Sequence, residues 1–427
     1  MYKDSMLYEM LRDRRLLLAG YGREGKSTHA LLVRLGLDKS LTIVEDNESL
    51  RREASQGYDL IIKSPGIPLF VLEDVCDLDT VSSQTDLFLR MYAAQTIGIT
   101  GTKGKSTTSY LLYRMLRVEN PHNVLLAGNM GVPLFDIMPQ ISPEATVVCE
   151  LSCHQLESIH RAPHIGVVLN LYQEHLDHYH SYADYQLAKM QMGLKQCDED
   201  ALIYCADPGD LADCVEQHRA EFRSALHGYT QQSASRWESL PHKLKGQHNL
   251  LNFEAAALAA RIAGASEGAC ELAVGEFQGL EHRIEPIGTF QSITFYNDSI
   301  STIPQATVAA VEALKTVDTL ILGGYDRGID YSALAHFLTS KSTPGGHIRN
   351  LAFVGEAGRR IYDACGSLDG REVLLEDDYR KIVAWCYRVT APHHVCLLSP
   401  AAASYDSFKN FEHRGQTFKN LVRQYAK

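Results

Sequence analysis

At Gly20–Thr28 (GYGREGKST) and again at Gly98–Thr108 (GITGTKGKSTT), a short apolar run passes through glycines into a Lys-Ser-Thr helix start. An apolar run ending in glycine before an amphipathic stretch is a βα unit, and successive βα units build parallel sheets covered by helices. The alternation continues along the chain. RRLLLAGYG, SLTIVEDN and YDLIIKSPGIP are the strands of a first small doubly wound set, with a helix from Lys26 to about Leu37. QTIGITG, NVLLAGN, ATVVCELS, IGVVLNLY and ALIYCAD form a second set, in which GQHNLLNFEAAALAARIAGA is a long helix. SITFYNDS, TLILGGYD, NLAFVGEA and HHVCLLSP form a third. The grouping predicts an α/β protein of three domains. Residues 1–87 form a small Rossmann-like domain, 88–280 a central P-loop-type parallel or mixed sheet, and 281–427 a Rossmann-like C-terminal domain.

With 427 residues, 45% of them apolar and 22% charged, the chain has material for several real cores. A net charge of −11 argues against a nucleic-acid partner. The opening MYKDSMLYEMLRDRR has no apolar signal region, and the longest apolar runs are strand-length, so neither secretion nor membrane insertion is expected. Ten cysteines without a C-x-x-C pair suit reduced thiols in a cytoplasm.

The first loop satisfies both G-x-x-x-x-G-K-[ST] and G-x-G-x-x-G, whereas the second has Ile99 where the first glycine of the phosphate-loop pattern belongs. The second loop is nevertheless the better triphosphate site. Gly101, Thr102 and Gly104 present backbone amides at a helix start, Lys105 can reach phosphate oxygens, and Ser106 and Thr107 offer hydroxyls to metal and phosphates. A Mg²⁺–ATP site also needs an acid at the end of a neighbouring strand, and ATVVCE ends on Glu150. The next strand runs into His175, Asp177 and His178, a candidate second metal or substrate site. A dinucleotide oxidoreductase is the rival from another class, resting on GYGREG with Glu45 and Asp46 some way on. It leaves the second loop and Glu150 unexplained. A non-enzymatic nucleotide switch would bind ATP without releasing phosphate.

Taken together, the motifs resemble those of the Mur ligases. TGTKGKST (100–107), GNMGVP (128–133), ELSCHQLE (150–157), LNLYQEHLDHY (169–179), GQHNLLN (246–252), LEHRIE (280–285), NDSISTIP (297–304), GGYDRGIDYS (323–332) and LLSPAAASYDSFKNFEHRGQTF (397–418) occur in the family's order over essentially the whole chain. The resemblance is strongest to the family members that add glutamate to UDP-N-acetylmuramoyl-L-alanine in peptidoglycan synthesis. It implies ATP, two Mg²⁺ ions, an acyl-phosphate intermediate and a cytoplasmic monomer. A ligase of the folylpolyglutamate synthase kind is the alternative within the enzyme class.

The resemblance also implies roles. Lys105, His175, Lys189 and Asn129 would be catalytic, with Lys189 carbamylated. Ser106, Glu150, His175 and Lys189 would serve the metals. Gly101, Thr102, Gly104, Ser106, Thr107, Asn249, Asn252, Arg283 and Asp298 would bind ATP, the last two closing over the nucleotide from the third domain. Gly20, Tyr21, Gly22, Asp46, Asn47, Ser64, Gly66 and Asn129 would bind the UDP substrate. Thr302, Arg327, Ser404 and Phe411 would take the amino acid. The chain departs from the family pattern in three places: Ile300 and Arg327 stand where the family has lysines, and Lys103 where many members have asparagine. Arginine still pairs a carboxylate in bidentate fashion, but Ile300 leaves D- and L-glutamate both open.

Overall fold

The computed structural model describes residues 2–129, 132–175, 178–244, 246–368 and 370–426. They form three sheets flanked by helices. The first sheet holds β1 (Leu16–Ala19), β2 (Leu41–Val44), β3 (Leu60–Lys63) and β4 (Val81–Ser82), in the order β2-β1-β3-β4. The second holds β5 (Thr96–Thr100), β6 (Val124–Gly128), β7 (Thr146–Glu150), β8 (Ile165–Val168), β9 (Ala201–Cys205) and β10 (Ala225–Tyr229), in the order β10-β9-β8-β5-β7-β6. Both are parallel throughout. The third runs β11-β12-β16-β13-β14-β15, built from Glu285–Phe290, Ile293–Asn297, Val317–Gly323, Asn350–Val354, Glu372–Leu375 and Val395–Leu398 in chain order from β11 to β16. It is mixed, because β11 pairs antiparallel with β12.

Central strands such as β1 (LLLA) and β13 (VDTLILG) are buried along their whole length, as expected where helices cover both sheet faces. Four strands were not predicted. β4, β10, β11 and β15 all lie at sheet edges; β4 is only two residues long, and the other three carry exposed residues, so they lack the continuous apolar run that marks a buried strand. The helix expected over Lys26–Leu37 instead spans Arg23–Arg34, with Gly22 as its N-cap. Its first turn includes Gly25, where a Cβ would lie 2.1 Å from the Gly20 carbonyl oxygen. Glycine there permits the close loop–helix approach that a sequence reading places one turn later.

The chain divides into two compact units, Met1–Gln278 and Gly279–Lys427. Of the boundaries read from the sequence, the one after Leu87 lies within the helix Gln84–Tyr92, and the other lies near the division between units. In the first unit one apolar core runs from Leu16 and Leu18 of the first sheet to Val147, Cys149 and Leu202 of the second. Polar contacts also join the two sheets. Lys63 Nζ lies 2.5 Å from Glu157 Oε1 with both side chains almost wholly buried, and Ser27 donates to Asp136 at 2.6 Å. No helix among the described residues is long and apolar enough to cross a membrane.

Candidate active site

Parallel pairing brings the functional loops of the second sheet to one edge. Ile99 is opposite Glu150, Gly128 is also opposite Glu150, and Thr100 is opposite Val168. The residues that follow β5, β6, β7 and β8 therefore emerge together at the carboxyl edge, where ligands of open α/β sheets bind.

The phosphate loop lies between β5 and the helix Lys105–Glu119. Gly104 caps that helix at φ +86, and a Cβ there would sit 2.4 Å from Asn252 Oδ1. Any other residue would meet both a left-handed backbone and a buried neighbour. Lys105 Nζ donates to the carbonyls of Gly101 at 2.8 Å and Thr102 at 3.0 Å, so its ammonium is folded back over the loop. Burial lowers its pKa, and the charge of Glu150 works in the opposite direction. Asn170, which the sequence reading did not single out, braces the loop: its Oδ1 accepts from Lys103 N at 2.8 Å and its Nδ2 donates to Lys103 O at 3.0 Å. The Lys103 side chain pairs with Glu174. Thr102 Oγ1 lies 2.7 Å from Tyr185 Oη and receives Tyr172 N–H at 2.9 Å, so its hydroxyl serves the loop's own packing.

Glu150 ends β7 and is 2% exposed. Asn129 Nδ2 donates to its Oε1 at 2.8 Å, while its Oε2 is buried without a hydrogen-bond partner among the described residues. A buried carboxylate oxygen with no donor is a group a divalent cation would satisfy, so the residues fit Mg²⁺. Ser106, in the first turn of the adjacent helix, stands at the same sheet edge. His175 lies in the loop after β8 at φ +59, a region histidine seldom occupies and one that recurs at functional sites. Of the expected H-L-D-H cluster, Asp177 lies outside the described residues, while His178 is buried and within 3.4 Å of Glu157 Oε2.

Lys189 is only 1% exposed, although a helix lysine normally faces water. It sits on the helix Tyr182–Leu194 and donates to Gly101 O at 3.0 Å, the same carbonyl that Lys105 uses. Burial lowers its pKa to about 8. Between that value and about 10.5, the ordinary lysine value, the unfolded chain binds more protons, so stability rises with pH across that window. Lys189→Met should therefore raise Tm by a few degrees at neutral pH in buffer free of carbon dioxide. The gain should shrink as pH climbs towards the ordinary lysine value. Thermal melts across that range check it; an unchanged or lower Tm at neutral pH would show that the buried ammonium is not destabilising.

Asn252 is buried on the helix Gln247–Ile262 and donates to Asn249 Oδ1 at 3.4 Å. In the first sheet, Gly20, Asp46 and Ser64 follow the aligned ends of β1, β2 and β3. Ser64 Oγ donates to Gly20 O at 3.0 Å, and Tyr21 Oη lies 2.7 Å from His29 Nδ1. Asp46 caps the helix Asn47–Ala54 by accepting from Ser49 N at 2.8 Å. Gly66 is in the open turn after β3, with no atom within 4 Å of where its Cβ would be. Lys26 is exposed, and Ser27 is buried and donates to Asp136, so the hydroxyl of the better-spelled loop is engaged in a structural contact.

In the second unit, Asp298 follows β12 and is buried, receiving Ser399 Oγ at 2.7 Å and Ile284 N at 3.1 Å. Burial raises its pKa against these hydrogen bonds. Arg283 precedes β11. Arg327 Nη2 donates to Thr302 O at 3.1 Å, which joins two of the expected amino-acid residues. Ser404 is buried, and Phe411 opens the last helix and accepts Ser299 Oγ on its carbonyl at 2.8 Å. Arg414 was not predicted. It is wholly buried and donates to Ser299 O, Ala402 O and Ala403 O at 2.9–3.0 Å, fixing the loop that carries Ser404. The strand-end glycines and the run of alanines before it are the sequence signal for such a crowded loop.

Residues 99–260 match the Mur ligase middle domain. The chain is 30% identical to the UDP-N-acetylmuramoylalanine--D-glutamate ligase of Caldanaerobacter subterraneus subsp. tengcongensis, over 96% of this chain and 98% of that protein. The enzyme of the same name from Symbiobacterium thermophilum is 33% identical, over 86% of this chain and 84% of its own length. Among solved structures, MurF from Acinetobacter baumannii aligns with a TM-score of 0.58 at 16% identity, over 81% of this chain and 82% of that one. Thermotoga maritima MurF in complex with ADP aligns with a TM-score of 0.52 at 13% identity, over 98% and 97%. These likenesses place the chain among the ATP-dependent, amide-forming ligases. It belongs to the Mur ligase family.

Proposed function

We propose that the chain joins D-glutamate to UDP-N-acetylmuramoyl-L-alanine in peptidoglycan precursor synthesis, in the cytoplasm and as a monomer. The observation that carries the substrate assignment is the near-full-length match to relatives named for that reaction. The chemistry is supported by the edge of the second sheet, where Lys105 and Lys189 share the Gly101 carbonyl and Asn129 holds Glu150 at the end of the neighbouring strand. In this reading, the substrate carboxylate oxygen attacks the γ-phosphorus and ADP leaves. The glutamate nitrogen then attacks the acyl carbon, the carbon–oxygen bond to phosphate breaks, and phosphate departs as the amine loses its proton.

Lys105 and the amides of Gly101–Thr107 hold the transferring phosphoryl group, and Asn249 and Asn252 border the adenine. Asn129 orients Glu150 and the acceptor carboxylate. Ser106, Glu150, His175 and a carbamylated Lys189 would hold two Mg²⁺ ions, which supply charge neutralisation when bound. The lowered pKa of Lys189 favours the neutral amine that carbamylation needs. The first sheet takes the UDP moiety through Gly20, Gly22, Asp46, Asn47 and Ser64. Arg327, Thr302, Ser404 and Phe411 of the third sheet take the amino acid, whose side-chain carboxylate Arg327 can pair.

L-glutamate is a second reading, favoured only by Ile300, which removes a cation near Thr302. Phosphate release with UDP-N-acetylmuramoyl-L-alanine, ATP and Mg²⁺, compared between D- and L-glutamate, separates the two. Release with the D-isomer supports the proposal, release with the L-isomer alone corrects the stereochemistry, and release with neither sinks it.

A further inference from the structure

A one-turn helix, Cys153–Leu156, follows β7 and is held by a capping box between Ser152 and Gln155. It carries Cys153 and His154 up to His175 of the loop after β8. One sulfur and two imidazole nitrogens from these residues lie within 4.8 Å of one another. The His154 ring meets His175 edge-on, with centroids 4.8 Å apart, and stacks on His178 at 3.8 Å. His154 Nε2 is buried without a hydrogen-bond partner among the described residues, although a buried imidazole nitrogen normally has one.

We propose that Cys153, His154 and His175 form a binding site for a soft divalent transition ion of the zinc or cobalt class. Mg²⁺ prefers oxygen, whereas one thiolate with two imidazoles selects zinc, cobalt or nickel. Metal–sulfur and metal–nitrogen bonds of about 2.3 and about 2.0 Å in tetrahedral array put ligand atoms roughly 3.3–3.5 Å apart. The present separations, none above 4.8 Å, reach that range through inward side-chain rotations of up to about 1.5 Å. Binding forms a sulfur–metal bond, and the Cys153 proton passes to solvent. Three protein ligands leave a fourth position open to water or a substrate oxygen. The assigned binding stands independently of the ligase reading. One consequence does rest on that reading: the soft ion takes His175 and so competes with Mg²⁺ beside the carboxylate to be activated.

Cobalt(II), added to the full-length protein without nucleotide and in the presence of a non-chelating phosphine reductant, tests the site. One equivalent should produce thiolate-to-cobalt charge transfer in the near ultraviolet and intense tetrahedral bands in the visible, and one equivalent of zinc should erase both. Cys153→Ser should abolish the charge-transfer band. His154→Phe, which keeps the thiol, should weaken cobalt binding at least about tenfold. Circular dichroism establishes that each variant is folded. Absence of the band in folded wild-type protein, or its survival in folded Cys153→Ser through one of the other cysteines, overturns the proposal. Phosphate release measured with Mg²⁺ alone reports on the ligase reading separately, so failure of either can be told from failure of the other.

Discussion

Lys105→Ala should lower the rate of substrate-dependent ADP formation by about a thousandfold or more. The ammonium is already folded over the loop, on the carbonyls of Gly101 and Thr102 at 2.8 and 3.0 Å. Its partial burial lets it act at a lower effective dielectric than in water, which strengthens its pull on phosphate charge. The fold should tolerate the loss, because the helix start depends on Gly104 at φ +86 and on packing against Asn252 rather than on the lysine. Steady-state rates and a thermal melt on the same preparation distinguish lost chemistry from lost structure. A variant that melts normally and keeps even a tenth of the rate would remove the second loop from the triphosphate site. Lys105→Arg should not rescue the rate, since a planar fork cannot replace a point charge in the same space.

The second large effect is expected at Glu150. Glu150→Gln keeps the shape and still offers Asn129 an acceptor oxygen at the position now 2.8 Å away. What it loses is the negative charge and the unpartnered Oε2. The Mg²⁺ concentration giving half-maximal rate should rise by roughly a hundredfold, while the melting temperature in the absence of Mg²⁺ stays unchanged or increases. Magnesium titrations of wild type and variant check this. Superimposable titration curves would mean that Glu150 holds Asn129 in place and nothing more.

These two residues were legible before the fold was. A glycine-flanked Lys-Ser-Thr after one strand and a glutamate closing another are enough, because parallel pairing must bring successive strand ends to one edge. Lys189 was not legible from its own surroundings. Nothing in YQLAKM distinguishes it from a solvated helix lysine, and only the order of the motifs singled it out; the structure then buries it against the Gly101 carbonyl. The grouping of Cys153 and His154 with His175 was opaque for a different reason. The first two are adjacent on a single helical turn and the third arrives from another strand's loop, so no ligand spacing is written in the sequence. Edge strands β10 and β15 were missed because partial exposure breaks the apolar run. Asn170 and Arg414 act on backbone carbonyls and amides, partners that carry no residue signature.

Transfer of a heavy-oxygen label tests the central claim most directly. UDP-N-acetylmuramoyl-L-alanine labelled in its carboxylate oxygens would be turned over with ATP, Mg²⁺ and D-glutamate, and the released phosphate analysed by mass. An acyl-phosphate ligase predicts one labelled oxygen in each phosphate released and one retained in the new amide. Phosphate that carries no label would contradict the account, since the carboxylate would then never have been phosphorylated.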